Sequence, residues 1–152
     1  MSRSAAAPSL KSLIGRGRIV VAPGAYDALS ALLIEQAGFE AIYLTGNGQA
    51  ASMLGLPDVG LVTLTEMAGR VRCTRAVTSL PLIADADVGY GSLLSVRRAM
   101  RELEAAGASA VQFEDQAAQR NAATSPAAAS SVSPRWRSAC ARHRTDGVIP
   151  TR

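Results

Sequence analysis

The stretch from Pro81 to Gly91, Pro-Leu-Ile-Ala-Asp-Ala-Asp-Val-Gly-Tyr-Gly, constrains this chain most: a short apolar run ends in two carboxylates and then in glycines. It reads as a buried parallel strand with its chemistry at the tip. Alternate residues of a strand point the same way, so Asp85 and Asp87 face one pocket if the extended geometry persists through Ala86. Burying two like charges together is costly unless a cation or a proton compensates them. Mg2+ suits such a pair, because it prefers carboxylate oxygens, keeps several waters and leaves positions for a substrate's oxygens. The alternative is a solvated Asp-x-Asp turn.

The rest of the chain supplies a rhythm around that strand. Residues 9–17 predict a short helix, and a first strand starts at Arg18, runs through Ile19-Val20-Val21-Ala22-Pro23 and closes at Gly24. Ala28, Leu29, Leu32, Leu33 and Ala37 recur at helical spacing from Tyr26 to Ala37, with Gly38 as the stop. A second strand is predicted at Ala41 to Thr45, followed by a glycine-rich loop at Gly46-Asn47-Gly48 and a turn at Leu56-Pro57-Asp58. A long helix follows from Thr65 to Val77, capped by Thr63 or Thr65, with Glu66 in its first turn. Then come the strand Leu82 to Asp85, a helix from Leu93 to Ala106 stopped by Gly107, and a fourth strand from Ala110 to Glu114. Strand and helix alternating at this pace predict right-handed βαβ units and a parallel sheet. The near-continuous apolar strands suggest a sheet covered on both faces.

In such folds the reactive groups sit at the carboxyl ends of the strands. Those ends carry Thr45 and Gly46, then Asp85 and Asp87, then Glu114 and Asp115, with Asp58 on a loop of the same side. A competing motif, Gly46-Asn47-Gly48-Gln49-Ala50-Ala51, fits the Gly-x-Gly-x-x-Ala dinucleotide fingerprint. That fingerprint also needs an acid at the end of the next strand, ~20 residues on. Glu66 falls instead at a helix start, so the match is weak.

Composition narrows the function classes. At 152 residues and 48% hydrophobic, the chain suffices for one domain with a sizeable core. No apolar run reaches the ~18 residues of a membrane span, and neither a hydrophobic leader core nor a cleavage pattern is present, so a cytoplasmic location is expected. The acid-free first 26 residues carry a faint transit-peptide character. Cys73 and Cys140 have no metal-ligand spacing and read as two unpaired thiols. The formal charge of +4 is not spread evenly: residues 1–116 carry 10 basic and 11 acidic side chains, and residues 117–152 carry 6 and 1. The basicity belongs to the tail. Nucleic-acid binding is therefore not expected of the domain, and a tail-borne version would rest on Arg135, Arg137, Arg142 and Arg144 around Trp136.

Five motifs in register carry a family resemblance. They are Pro23-Gly24-Ala25-Tyr26-Asp27-Ala28-Leu29-Ser30-Ala31, Gln36-Ala37-Gly38-Phe39-Glu40-Ala41-Ile42-Tyr43, Leu54-Gly55-Leu56-Pro57-Asp58, Asp85-Ala86-Asp87-Val88-Gly89-Tyr90-Gly91 and Gln112-Phe113-Glu114-Asp115-Gln116. Together they resemble the isocitrate lyase and phosphoenolpyruvate mutase superfamily, over residues 10–116. Its smaller members include 2-methylisocitrate lyase, oxaloacetate decarboxylase and phosphonomutases. The resemblance implies a (β/α)8 barrel with Mg2+, or Mn2+ in its place, acting on small 2-oxo or 2-hydroxy carboxylates in a homo-oligomer. It implies that Asp85 and Asp87 hold the metal, directly or through water, with Asp58 and Glu114 in the outer shell. Thr45 and Gly46 lie where the family usually has Ser-Gly and binds the substrate carboxylate. Val88 replaces a common Thr without removing a carboxylate. Chemically, a divalent cation chelated by a substrate's carboxylate and oxo groups stabilises the charge that develops when a bond beside a carbonyl breaks.

A lyase also needs a proton donor or base, which the family takes from a mobile Lys-Lys/Arg-Cys-Gly-His loop after the fourth strand and from later strands. After Gln116 the chain turns instead to Ala, Ser, Pro and Arg, and its one histidine, His143, and Cys140 stand in this segment. The expected organisation is an N-terminal half-barrel of about four βα units at residues 1–116 and a disordered low-complexity basic tail at 117–152. Regrouping the codons of Arg120 to Ala127 by one nucleotide permits Lys-Cys-Gly-His-Phe-Ala-Gly, so the tail also reads as a change of frame. Half a barrel would expose two strand edges, predicting low stability or rescue by association, with itself or with a full-length relative.

Overall fold

The computed structural model describes residues 9–115. Residues 117–152, with Cys140, His143 and the arginines around Trp136, lie outside the described residues, as does Gln116. Four strands form one parallel sheet in chain order: β1 (Gly24–Ala25), β2 (Ile42–Leu44), β3 (Leu82–Asp85) and β4 (Ala110–Gln112). Residue pairs such as Ala25 with Leu44, Leu44 with Ala84, and Asp85 with Gln112 set the register. The helices are α1 (Leu10–Ile14), α2 (Ala28–Gln36), α3 (Gly46–Gln49), α4 (Leu64–Val77) and α5 (Leu93–Ala106), with a π-helical turn at Ala50–Leu54.

Local chemistry explains most of these boundaries. Asp27 caps α2, accepting the Ser30 N–H at 2.7 Å while the Ser30 hydroxyl answers the Asp27 N–H. Thr63 and Glu66 make the same reciprocal box at the start of α4, which selects Thr63 over Thr65 as the cap. At the end of α5, Gly107 adopts φ 108°, a left-handed stop that a side chain would resist. A Cβ there would also lie 2.7 Å from the Arg75 side chain. Arg75 in turn spans the connection into β3, donating to the carbonyls of Thr78 (2.7 Å) and Leu80.

Three expectations need correcting. The first strand is not Arg18 to Gly24 but Gly24–Ala25, and Ile19 and Val21 stand 89% and 58% exposed. A continuous apolar run does not by itself make a strand: among the described residues, paired backbone reaches back only to Pro23, whose carbonyl accepts the Tyr43 N–H at 2.9 Å. The stretch after β2 is not a loop: Thr45 accepts the Gly48 N–H at 3.3 Å and starts α3, which runs into the π-helical turn. Glycine content concealed the cap. Finally, the sheet is unequally covered. Ile42, Leu44, Leu82 and Ala84 are fully buried in the cluster with Met67, Val71 and Leu103, whereas the alternate residues Tyr43 and Ile83 are only half-buried. Among the described residues the helices seal one face more completely than the other.

At the amino end of the sheet, Arg16 and Arg18 both bind Glu40, at 2.7 and 2.5 Å, and tie the leading segment to the entry of β2. Among the described residues no helix is long and apolar enough to cross a membrane. Cys73 is an exposed free thiol on α4.

Candidate metal centre

The carboxyl ends of β2 and β3 and the loop leading to α4 meet around a small cavity. Gly46, Asp58, Gly60, Val62, Met67, Asp85, Asp87 and Tyr90 line it, and its volume of about 10 Å3 is close to the room that one water or one ion occupies. Asp85 ends β3 and is 8% exposed. Both of its oxygens are engaged: Oδ2 accepts the Gly46 N–H at 3.0 Å, and Oδ1 accepts the Asp87 N–H at 3.0 Å. One carboxylate therefore joins two loops.

Asp87 reaches the same cavity, though not by the expected route. The strand stops at Asp85, and the chain turns at once, with the Gly89 N–H donating to Ala86 O at 2.8 Å. Asp87 then takes a left-handed φ of 49°. The two acids converge because a turn re-aims the second, not because strand alternation continues through Ala86.

The remaining predicted residues divide. Asp58 and Gly46 are brought into the cavity wall. Glu114 is not in that wall; its backbone N–H donates to Asp87 O at 2.7 Å, and its charge acts on Tyr43. Thr45 is also outside it, with its hydroxyl oxygen taken up in capping α3. Among the described residues, no group of three or more His, Cys, Asp or Glu side chains is arranged to hold a metal ion unaided. The four acids are thus not a ready-made ligand cage. A cation that keeps most of its water and takes one or two carboxylates directly fits this donor set better than one needing an all-protein shell. The backbone supports the same fit. A Cβ on Gly46 would lie 2.9 Å from Asp85 Oδ2 and one on Gly60 3.6 Å from Asp87 Oδ2, so glycine keeps the space beside both acids open.

Sequence inspection missed two tyrosines. Tyr43 shares the half-buried face of the sheet with Asp85, and burial raises the pKa of its phenol well above the ordinary value. The charge of Asp85, a hydrogen bond to it, and the charges of Glu114 and Asp58 add to that shift. Tyr90 lines the cavity, and burial followed by the charges of Asp85, Asp87 and Asp58 raises its pKa in the same way. Both phenols keep their protons at any physiological pH. For Tyr90 a signal was available: it stands between two glycines directly after the acid pair.

The family model described as phosphoenolpyruvate phosphomutase matches residues 10–152, a longer span than the 10–116 that carries the five motifs. The chain is 48% identical over 110 residues to 2,3-dimethylmalate lyase of Eubacterium barkeri, covering 72% of this chain and 38% of that one. It is 50% identical over 107 residues to 2-methylisocitrate lyase of Aeropyrum pernix, covering 70% and 34%. Among solved structures, phosphonopyruvate hydrolase in complex with oxalate and Mg2+ superposes with a TM-score of 0.68 at 36% identity, over 71% of this chain and 38% of the other. The chain spans little more than a third of the length of each of these proteins. Fold, motifs and family match agree, and the chain belongs to the phosphoenolpyruvate phosphomutase family, within the superfamily that also contains isocitrate lyase.

Proposed function

We propose that residues 9–115 form the metal-binding half of a Mg2+-dependent carbon–carbon lyase site for small 2-hydroxy or 2-oxo carboxylates, of the 2-methylisocitrate lyase kind. The barrel of which they would form about four βα units is part of the same proposal. The observation that carries it is the convergence of Asp58, Asp85 and Asp87, from the loop before α4, the end of β3 and the turn after it, on one ion-sized cavity beside Gly46. Asp85 and Asp87 would hold the cation, with Asp58 and Glu114 orienting its waters. The cation, when bound, would supply Lewis-acid stabilisation of the charge that develops beside a substrate carbonyl. The names of the relatives, two lyases of small branched acids, support the reaction class, and the hydrolase seen with oxalate and Mg2+ supports both the cofactor and the ligand chemistry. A phosphonomutase or an oxaloacetate decarboxylase would use the same half-site.

Residues 9–115 contain no histidine, and their one cysteine is on the exposed side of α4. The test is thermal unfolding of the chain with Mg2+ and oxalate, alone and together. At ligand concentrations 100-fold above Kd the gain is about 2.7 kcal/mol, which for a domain of this size raises Tm by roughly 10 °C. Asp85→Asn should abolish the rise. No shift with both ligands present at millimolar concentration would sink the proposal.

The exposure of Ile19, Val21, Leu29 and Leu33 beside the β1 edge favours a second reading, a noncatalytic chain that associates with a barrel-forming relative or with itself. Size-exclusion chromatography distinguishes them: a stable lone monomer, with no complex when a full-length relative is added, refutes association.

A further inference from the structure

Among the described residues only two non-glycine residues have a left-handed backbone, Asp87 at φ 49° and Tyr90 at φ 60°, and both line the same cavity. Such conformations cost of order 1 kcal/mol or more each and persist only where the surroundings over-determine them. The surroundings do so here. Glu114 N–H and Ala86 N–H tie the turn to the end of β4, at 2.7 and 2.9 Å. Gly89 and Gly91 are pressed so closely on α5 that a Cβ would lie 2.4 Å from Val96 and 2.9 Å from Ser95. The strain of this loop is invested in aiming two side chains at one place. One is an acid already assigned a role; the other is a phenol without one.

The chemistry of the wall says what that phenol is for. Of the cavity-lining side chains, the three carboxylates only accept hydrogen bonds when ionised, and valine, methionine and glycine offer nothing. The Gly46 N–H is already given to Asp85. Tyr90 is the one lining side chain that carries a hydrogen to donate. An anionic ligand approaching three carboxylates needs such a donor as well as the cation.

We propose that Tyr90 is a ligand-orienting residue, whose phenol O–H donates to a carboxylate or oxo oxygen of the small acid drawn to the cavity mouth by the cation. This rests on the reading of the site as a Mg2+-dependent carboxylate site. It makes the ligand atom facing Tyr90 an acceptor, so oxalate and 2-oxo acids are favoured over analogues that present a methyl or an amine there. Tyr90→Phe in the full 152-residue chain keeps the ring and removes only the donor. By calorimetric titration, Y90F should bind oxalate in the presence of Mg2+ about tenfold or more weakly, the loss expected for a hydrogen bond to a charged group. Because the ring is kept, its Mg2+ affinity without oxalate and its Tm should match wild type, whereas a merely structural role for the ring would leave oxalate binding unchanged as well. A second measurement works on the wild-type chain: with 13C-labelled tyrosine, the Tyr90 ring resonances, assigned against Y90F, should shift when oxalate is added to the Mg2+-loaded chain. If wild type binds both ligands but Y90F binds oxalate equally well, or the resonances stay fixed, the role of Tyr90 is refuted alone. If wild type binds neither ligand, this proposal falls together with the reading of the site.

Discussion

Replacing Gln49 by methionine should stabilise this protein. Gln49 is fully buried, and among the described residues neither its Nε2 nor its Oε1 has a hydrogen-bond partner. It lies at the end of α3, next to the fully buried Ala50 and in the stretch that follows the site residue Gly46. A buried polar group left unsatisfied costs about 1–3 kcal/mol, and the amide has two such atoms. Methionine has nearly the same length and volume, and volume-conserving swaps usually cost under ~1.5 kcal/mol. Two such atoms less that swap cost leave a gain of roughly 0.5–4.5 kcal/mol for Gln49→Met, with an unchanged slope of unfolding free energy against urea, since the exposed surface hardly changes. Urea unfolding followed by circular dichroism measures both quantities. A loss of more than about 1 kcal/mol would show instead that the amide does have a partner the fold depends on. A gain accompanied by weaker oxalate binding would mark the amide as one retained for the site at a cost in stability.

Two further outcomes follow from particular contacts. Gly46→Ala should weaken the proposed Mg2+ and oxalate binding by about tenfold or more, the usual scale for disturbing the groups around a metal site, because its Cβ would press on Asp85 Oδ2 at 2.9 Å; helix propensity alone would favour alanine by about 1 kcal/mol, so a more stable variant with unaltered binding refutes the role given to Gly46 in keeping that space open. Acid should also destabilise the fold. Arg18, with Arg16, holds the Glu40 carboxyl below its ordinary value, and the Ser30 N–H and hydroxyl do the same for Asp27. Groups whose folded pKa is depressed contribute stability above their unfolded values and lose it as pH falls through the folded ones. The urea midpoint should therefore be flat between about pH 5 and pH 9 and decline below that range, with Glu40→Gln shallowing the decline, whereas a midpoint that rises on acidification would contradict the sign.

How much of this was legible beforehand depended on how local the cause was. β3 at Leu82–Asp85 and α5 at Leu93–Ala106 were read to the residue, because a proline-led apolar run and a Gly107 stop act within a few positions. Thr63 and Asp27 act as caps through neighbours three residues away. Tyr26 to Ala37 shortened by two residues at its start and one at its end, for the reason that the cap, not the periodicity, sets a helix's first turn. Asp58, Asp85 and Asp87 are named from strand ends and motif, and all three line one cavity; their hold on a metal is the proposal made above.

By itself, then, the amino-acid order determined the alternation of strands and helices, the parallel sheet, the family and the acids at the strand tips, because each is written in periodicity, caps and short motifs. Which partners those groups meet is set by the packing of segments far apart in the chain. It gave both oxygens of Asp85 to the backbone of two loops, turned Asp87 inward through a left-handed residue, and kept Glu114 and Thr45 out of the cavity wall. It also brings Tyr90 into that wall and leaves Ile19 exposed outside β1. Hydrogen bonds between residues 39 positions apart, such as Gly46 to Asp85, depend on how strands stand side by side, and no local pattern encodes that distance.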